Sequence, residues 1–417
     1  MTIRFLLLAL ATPLILAGTT LVQQAGSAVH LDACMADSAH LSSTLDSCAT
    51  TEIHDRQIGE APPELSSPAT AAVHDSGEDL GVAQSTDIYR ANDILQVLAS
   101  GREYMHQIRE DPQYAKVVGM CRNQHTSCAF WASLGECDSN PGYMRTNCAP
   151  VCQTCDLLHV ETRCPMDPNA VDALYPGDLD RMFERILVEH ADMEPRVVSR
   201  PTLAEGDSPS DYLVGGPWMV VFENAMSDEE ADRLIELGGL AGYERSEDVG
   251  SMRADGTFTS DRNEGRTSTN AWCTGDCYRD PVARRVIDRI SNVTGIADEN
   301  SEYLQLLRYE KNQFYQQHSD YIPHQQDRPC GVRILTFYFY LSDVEEGGGT
   351  HFPKLDLTVT PKKGRAVLWP SVFNQHPNIK DPRSDHEAQP VIRGVKYGAN
   401  AWIHQRDFKS KHDLGCS

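Results

Sequence analysis

Residues 308–320 read RYEKNQFYQQHSD, and this stretch places His318 two residues before Asp320. Successive side chains of a β-strand point to opposite faces, so residues i and i+2 share a face and can reach one metal ion. Imidazole and carboxylate groups are common ligands of divalent transition metals. The pair therefore indicates a metal site on a strand, although His30 and Asp32 have the same spacing in a different context.

Residues 386–402 read HEAQPVIRGVKYGANAW and supply the partners that this pair needs. A histidine from a distant strand, His386, completes the two-histidine, one-carboxylate triad of non-haem iron oxygenases, which leaves coordination positions open. Lys396 lies in an apolar strand, where its cation can pair with the far carboxylate of a dicarboxylic acid that chelates the iron. His376 is the alternative third ligand, and it is less favoured because Lys396 would then be misplaced.

The pattern around these motifs predicts a mainly β domain with flanking helices. Short apolar runs separated by Gly and Pro are typical of a sandwich or jelly roll. Ser227 and Glu230 have the spacing of an N-terminal capping box and predict a helix over 231–237, and a second helix is predicted over 282–293. The predicted strands are 219–222, 303–309, 332–341, 355–359, 366–369 and 395–404.

A second unit is indicated by a cluster of cysteines between residues 121 and 155. So short a segment cannot bury an adequate core, so disulfides would have to stabilise it. Zinc is the competing interpretation, because Cys152 and Cys155 have the spacing of a ligand pair. The spacing alone leaves the pairing open. The cluster consists of Cys121, Cys128, Cys137, Cys148, Cys152 and Cys155.

The remaining segments have the patterns of a targeting signal and of linkers between the folded units. Residues 1–28 have the order of a secretory signal peptide, with an uncleaved signal anchor as the alternative. Residues 29–116 are rich in Ser, Thr, Ala, Asp and Pro and predict a low-complexity linker with a short helix near 88–105 and a local Cys34–Cys48 bridge. Residues 157–210 predict a connector with a helix over 178–189.

The net charge limits the classes of partner that the protein can bind. The chain of 417 residues has 60 acidic and 37 basic residues, which gives a formal charge of −23. This balance argues against nucleic acid and anionic membrane surfaces, which need basic patches. The cysteine content and the sequon at Asn292 agree with an oxidising, secretory compartment.

Residues 120–156 resemble the ShK toxin-like (ShKT) module over its whole length. The resemblance rests on the six cysteines together with residues 131–137 (WASLGEC) and 140–144 (NPGYM). It implies the pairings Cys121–Cys155, Cys128–Cys148 and Cys137–Cys152.

Residues 218–404 closely resemble the catalytic domain of prolyl 4-hydroxylases. The resemblance implies a double-stranded β-helix domain over 211–417, preceded by the disulfide-rich module. In plant relatives that module follows the catalytic domain. This sequence also departs from the family at Asn312, near which a Gly is usual, and at Gln389, where a Cys is common. The matching residues are Tyr309, Tyr315, His318, Asp320, Gly348–Thr350, Phe352–Pro353, His386, Pro390–Val391, Gly394, Lys396 and Trp402.

The resemblance also implies roles for individual residues, with Fe(2+) as the metal, 2-oxoglutarate as the co-substrate and L-ascorbate as the reductant. The iron ligands would be His318, Asp320 and His386. The 2-oxoglutarate would be bound by Lys396, Tyr309 and Thr350. The side chains near the target proline would be Tyr315, Trp402 and Arg333.

The activity implied is hydroxylation of peptidyl proline to 4-hydroxyproline in proteins of the secretory pathway, with release of succinate and CO2. The expected partners are a proline-containing peptide or protein and O2, with no nucleic acid, and no membrane unless the signal segment is an uncleaved anchor. The expected location is the lumen of the endoplasmic reticulum or Golgi, with membrane-anchored or secreted forms as variants. Two alternatives remain: the same iron chemistry on another substrate, and a catalytically silent secreted binding protein that acts through the ShKT module.

Overall fold

The structure, a computed structural model, describes residues 76–85, 89–201, 215–253 and 256–417. The predicted signal segment 1–28, the suggested Cys34–Cys48 bridge and the linker prediction for 29–75 lie outside the described residues. Within the ranges that are described, no helix has both the length and the apolar character needed to cross a bilayer.

Helices form the N-terminal part of the described chain and later pack beside the sheets. Several short single turns of 3-10 helix connect them. In chain order the α-helices are α1 (Ala91–Glu110), α2 (Cys128–Ser133), α3 (Glu136–Ser139), α4 (Pro141–Asn147), α5 (Ala149–Cys152), α6 (Val160–Arg163), α7 (Asp178–Glu189), α8 (Asp228–Ala241), α9 (Gly275–Arg279), α10 (Pro281–Thr294) and α11 (Lys409–His412).

Strands dominate from residue 195 onward, where the sequence alternates and becomes rich in β-branched and aromatic residues. In chain order they are β1 (Pro195–Pro201), β2 (Gly215–Phe222), β3 (Glu244–Arg245), β4 (Asp248–Met252), β5 (Phe258–Asp261), β6 (Thr269–Trp272), β7 (Gln305–Tyr309), β8 (Tyr315–His318), β9 (Arg333–Tyr340), β10 (Glu346–Gly347), β11 (Thr350–Phe352), β12 (Leu357–Val359), β13 (Ala366–Pro370), β14 (Val372–Phe373), β15 (His376–Lys380), β16 (His386–Ala388), β17 (Val391–Arg393) and β18 (Lys396–His404).

Two antiparallel sheets form the core of the catalytic domain. The larger sheet has the order β1-β2-β13-β9-β18-β7-β6-β3, and the smaller has the order β12-β11-β16-β8. From β7 onward the core strands are divided between the two sheets, with β7, β9, β13 and β18 in the larger and β8, β11, β12 and β16 in the smaller. This arrangement is the double-stranded β-helix, or jelly roll, and it confirms the predicted fold class.

Both faces of the larger sheet are buried, which explains its near-continuous apolar strands. On β9, Phe337 and Phe339 join the core cluster that includes the helices, whereas Tyr338 and Tyr340 join the cluster between the two sheets. The alternation follows from the two-residue period of a strand. It places tyrosine hydroxyls, rather than phenylalanine rings, inside the jelly roll.

The outer helices confirm the sequence patterns that predicted them. The hydroxyl of Ser227 accepts a hydrogen bond from the Glu230 backbone, and the Glu230 carboxylate accepts one from the Ser227 backbone. Glu230 is buried, and it also receives both terminal nitrogens of Arg289 on α10, at 2.9 and 2.8 Å. The cap thus also ties α8 to α10. The predicted helix over 178–189 has those same bounds in the structure.

The disulfide-rich module is a set of short helices held by three bridges. Cys121 pairs with Cys155, Cys128 with Cys148, and Cys137 with Cys152, which are the pairings that the ShKT resemblance implies. All six sulfurs are therefore engaged, which leaves no thiolates to bind zinc.

The helix predicted near 88–105 is present as α1, which is the longest helix of the described chain. Ile94, Leu98, Met105 and Ile108 are buried in one cluster with the module, and they recur at helical spacing. The helix is longer than predicted, and it packs on the module instead of standing alone within a linker, because the module provides the second apolar surface.

Two further bridges lie outside the module. Cys164, just after the module, pairs with Cys416 near the C-terminus, and Cys273 pairs with Cys277 within a single turn. Cys330 is buried and is the free cysteine of the described residues. The Cys164–Cys416 bridge covalently fixes the connector to the end of the catalytic domain.

Removing the Cys164–Cys416 bridge should destabilise the protein more than removing the Cys273–Cys277 bridge. The first closes a loop with a sequence separation of 252 and the second closes one of 4. Loop-closure entropy predicts losses in the free energy of unfolding of about 5 and about 2 kcal/mol respectively. Chemical denaturation of the two double Cys→Ser variants measures the difference, and equal losses would contradict the expectation.

Candidate active site

A cluster of two histidines and one aspartate lies at the mouth of the jelly roll. Strands β8 and β16 pair so that His318 lies directly opposite His386. Asp320, two residues beyond His318, brings one carboxylate oxygen to 3.9 Å from His318 Nε2 and the other to 3.7 Å from His386 Nε2. The three donor atoms lie within 4.8 Å of one another. This is the two-histidine, one-carboxylate donor set that suits Fe(II).

Backbone carbonyls orient both imidazoles toward the cluster. His318 Nδ1 lies 2.8 Å from the carbonyl oxygen of Gln316, and His386 Nδ1 lies 3.0 Å from that of Ser384. A carbonyl only accepts hydrogen bonds, so each Nδ1 carries a proton and each Nε2 is the nitrogen that faces the cluster and could bind a metal. Burial and the adjacent His386 lower the pKa of His318 to about 3, so it stays neutral and able to bind a cation.

The carboxylate of the cluster is fixed from the opposite sheet. The hydroxyl of Thr336 on β9 donates to Asp320 at 2.7 Å. Burial raises the pKa of the Asp320 carboxyl, but His386, His318, Arg333 and this hydrogen bond together lower it below its ordinary value. The group is therefore an anion ready to bind metal. Sequence reasoning missed Thr336, whose only signal is a hydroxyl within an otherwise apolar strand.

Lys396 is the most unusual residue of the site. Its side chain is 1% exposed, and its ammonium group lies 5.1 Å from the ring centre of Tyr309, with which it is paired across β18 and β7. Among the described residues, no carboxylate forms an ion pair with it. Burial lowers its pKa to about 7. A buried ammonium without a counter-charge is costly, and the far carboxylate of 2-oxoglutarate would supply that charge.

Tyrosines and a threonine surround this lysine. Tyr338 and Tyr340 have ring centres 5.2 and 5.6 Å from its ammonium nitrogen. The Tyr340 hydroxyl donates to the hydroxyl of Thr350 at 2.7 Å, while the buried Tyr338 hydroxyl has no partner within the described structure. These groups offer hydrogen-bond donors to a dicarboxylate. Tyr309 and Thr350 were predicted here, and Tyr338 and Tyr340 were not.

Tyr315 lies against the metal cluster from the outside. Its ring stacks on His318 with ring centres 3.6 Å apart, and its hydroxyl donates to Asp248 at 2.8 Å. Asp248 in turn forms an ion pair with Arg266, which lies over the same ring. Asn312, in the loop before β8, has a φ of 67°, a conformation that Gly or Asn adopts readily. The departure from the family's glycine is therefore conservative.

Arg333 and Trp402 form the other side of the mouth. The Arg333 guanidinium lies 3.9 Å from the ring centre of Trp402 and donates to Glu302 at 2.5 Å. Glu302 also lies 2.8 Å from His404. Burial raises the pKa of Glu302, yet Arg333 and His404 lower it to about 2, so an ionised network anchors Arg333. Glu302 and His404 were not predicted from the sequence.

The alternative third ligand is not at the site. His376 lies on β15 with an exposed side chain, and it does not belong to the metal-type cluster found among the described residues. The structure thus brings together His318, Asp320 and His386, the three residues that the sequence predicted as ligands.

Comparison with known proteins agrees with this geometry. Residues 304–404 match the 2OG-Fe(II) oxygenase superfamily, and residues 120–155 match the ShK domain-like family. The fold and the donor set thus define an iron- and 2-oxoglutarate-dependent oxygenase domain. Prolyl 4-hydroxylase 2 of Arabidopsis thaliana is 31% identical over 57% of this chain and 84% of its own length. The chain belongs to the prolyl 4-hydroxylase family.

Other relatives share only part of their length with this chain. Prolyl 4-hydroxylase subunit alpha-1 of Rattus norvegicus is 38% identical over 34% of this chain, which spans 27% of that subunit. The same subunit of Gallus gallus is 35% identical, and the chain spans 36% of it. Among solved structures, a viral collagen prolyl hydroxylase from Paramecium Bursaria Chlorella virus-1 has 26% identity and a TM-score of 0.34, covering 45% of this chain and 95% of its own.

The third ligand can be tested by metal binding alone. His386→Ala should weaken Co(II) binding, measured by calorimetry or by its visible spectrum, by at least about 100-fold, because one of three donors is lost. His376→Ala is the matched control and should bind like the unmodified protein. A loss on changing His376, with none on changing His386, would show that the ligand assignment is wrong.

The burial of Lys396 predicts a pH dependence of co-substrate binding. Above its pKa of about 7 the free protein holds this lysine neutral, so binding a carboxylate requires proton uptake. The affinity for 2-oxoglutarate, measured with Mn(II) in place of iron, should therefore fall about fivefold from pH 7 to pH 8. Lys396→Met should bind weakly at both pH values and lose this slope. A flat profile for the unmodified protein would contradict the expectation.

Proposed function

We propose that this chain is a prolyl 4-hydroxylase that converts peptidyl proline to 4-hydroxyproline and 2-oxoglutarate to succinate and CO2. Two observations carry the proposal: Lys396 is buried against Tyr309 without a carboxylate partner in the described structure, and the same domain holds a complete set of two histidines and one aspartate. A structural lysine would be paired or exposed. Family membership supports proline as the target, since the relatives carry that name.

The metal would be held by His318, Asp320 and His386. When bound, iron with O2 and 2-oxoglutarate supplies the oxidising power that turns a C–H bond into C–OH. The residues keep the site ready, because the carbonyls of Gln316 and Ser384 fix the imidazole tautomers. Three protein donors leave room for the co-substrate and O2 on the same ion.

The co-substrate would lie between the metal and Lys396. The ammonium group would pair with its far carboxylate, and the hydroxyls of Tyr309 and Thr350 would complete the hydrogen bonds. Both side chains are buried, so water would not compete for these contacts. Tyr340 holds Thr350 in place from behind.

The peptide would enter past Tyr315, Trp402 and Arg333. The two rings provide the flat apolar surfaces on which a proline ring packs, and an extended proline-rich segment has a low entropic cost of binding. The ionised Glu302 holds Arg333 in position, so its guanidinium could donate a hydrogen bond to a peptide carbonyl near the target.

The five disulfides of the described chain indicate an oxidising compartment of the secretory pathway. We place the activity in the lumen of the endoplasmic reticulum or Golgi, with L-ascorbate as the reductant. Asn292, exposed on α10, stays a prediction as a glycosylation site.

The proposal is tested by incubating the protein with Fe(II), ascorbate, 2-oxoglutarate and either poly-proline or Ser/Pro-rich peptides. We expect a mass gain of one oxygen on proline, matched by succinate. Lys396→Met should lower kcat/KM for 2-oxoglutarate at least about 30-fold, because a buried charge partner is removed. The exposed Lys362→Met is the matched control and should keep full activity.

Other results would identify the competing functions. Succinate formed only with substrates that lack proline would assign the iron chemistry to another target. No turnover by either the unmodified protein or His318→Ala would identify a catalytically silent binding protein.

A further inference from the structure

The connector that follows the disulfide-rich module is fixed against the catalytic domain at two points. The Cys164–Cys416 bridge joins it to the C-terminal part of the chain. Val160 on α6 packs against Gly256 in the turn of the β4–β5 hairpin, so closely that a Cβ on Gly256 would lie 2.7 Å from the Val160 Cβ. Arg328 donates to the carbonyl of Gly256. The end of the module is therefore tied to the hairpin through a few residues of the connector.

A large cleft runs between the module, the hairpin and the mouth of the jelly roll. Its volume is about 1390 Å³. Small-molecule pockets usually measure about 300–1,000 Å³, so this cleft suits a polypeptide segment better than a metabolite. Residues that line it are Met120, Arg122, Gln124, Thr146 and Asn147 of the module, Asp248, Val249, Phe258 and Thr259 of the hairpin, and Trp272, His324 and Arg333 of the catalytic mouth.

Two residues that line the cleft contact side chains beside the metal cluster. Asp248 lines the cleft and accepts a hydrogen bond from the hydroxyl of Tyr315, whose ring stacks on His318. Arg333 lines it from the side of Trp402. A peptide whose proline lies at the metal cluster would therefore extend along this cleft toward the module.

The charge of the cleft differs from that of the whole chain. Of its carboxylates, Glu247, Asp248 and Glu302 are ion-paired with arginines, which leaves Glu244. The cleft is also lined by three arginines for which no carboxylate partner is found among the described residues: Arg122, Arg245 and Arg253.

The two best-placed of these arginines lie on different walls. Arg245 donates to the backbone carbonyls of Thr267 and Asn263, which fix its position without neutralising its charge. Arg122 is exposed and belongs to the module. In a protein with a net charge of −23, a cleft whose arginines without a carboxylate partner among the described residues outnumber its one remaining carboxylate is a local exception.

We propose that the ShKT module forms the outer wall of the peptide-binding cleft, and that Arg122 and Arg245 select proline-containing segments with acidic residues beside the target proline. The proposal rests on the proposed hydroxylase function and adds to it the chemical class of the preferred substrate. Its physical basis is charge complementarity in a cleft lined by Asp248 and Arg333, which contact Tyr315 and Trp402 beside the metal cluster.

Peptide binding tests this without turnover. Two fluorescent peptides of about twelve residues would be compared, one with Asp and Glu around a central proline and one with Asn and Gln in their place. Binding is measured by fluorescence polarisation with Mn(II), 2-oxoglutarate and no O2. We expect the acidic peptide to bind more tightly, and Arg122→Ala to weaken it about two- to fivefold while leaving the amide peptide unchanged. Arg109→Ala, on the exposed end of α1, is the matched control and should have no effect.

Turnover then separates this proposal from the function on which it rests. Arg122→Ala should raise KM for the acidic peptide with kcat unchanged, and it should not alter KM for a three-residue substrate too short to reach the module. Equal binding of the two peptides, or an Arg122→Ala variant that binds both like the unmodified protein, would overturn the cleft proposal even if proline is hydroxylated. Charge-selective binding without hydroxylation would overturn the proposed function and leave the cleft assignment standing.

Discussion

The antiparallel pairing of β8 with β16 is the contact on which the whole site depends. It sets His318 opposite His386 on the smaller sheet, while Thr336 and Lys396 come from β9 and β18 on the larger one. Because side chains alternate along a strand, a slip of one residue in this register would turn a histidine away from the metal. The site thus lies between two sheets whose registers are each fixed by buried apolar faces.

Three buried charges of the site are stabilised in different ways, and the differences indicate their roles. Glu302 is satisfied by Arg333 and His404, so it is a structural anion. Asp320 accepts a hydrogen bond from one hydroxyl and otherwise faces the imidazoles of His318 and His386, so a bound cation would balance its charge. Lys396 is surrounded by aromatic rings and has no carboxylate partner among the described residues, so a bound anion would balance its charge. The free-energy cost of burying an unpaired charge is tolerated at a site where a bound ligand supplies the opposite charge.

Local patterns predicted the elements whose stability is mainly local or repetitive. The capping box at Ser227, the helix over 178–189 and the strands β2, β7, β9, β13 and β18 were predicted, since helical and strand periods are written in consecutive residues. Strand β1 was missed, because it falls in the predicted connector. Helix α1 was predicted as a short helix within a linker, because its few apolar residues become a core only against the module. Thr336 and Glu302 were missed for a related reason, as their roles come from contacts with residues far away in sequence.

The sequence by itself determined the chemistry. It gave the types and spacing of the metal-donor side chains, the lysine that follows them, and the cysteines that stabilise a module too small for a large core. Only the tertiary structure decided that His386 rather than His376 reaches the cluster and that residues of the cysteine module line the same cleft as Arg333. It also showed which arginines of an acidic protein remain without a carboxylate partner among the described residues. The reason is physical, since a motif fixes positions along one strand, whereas a site is closed by side chains from several strands whose distances only packing sets.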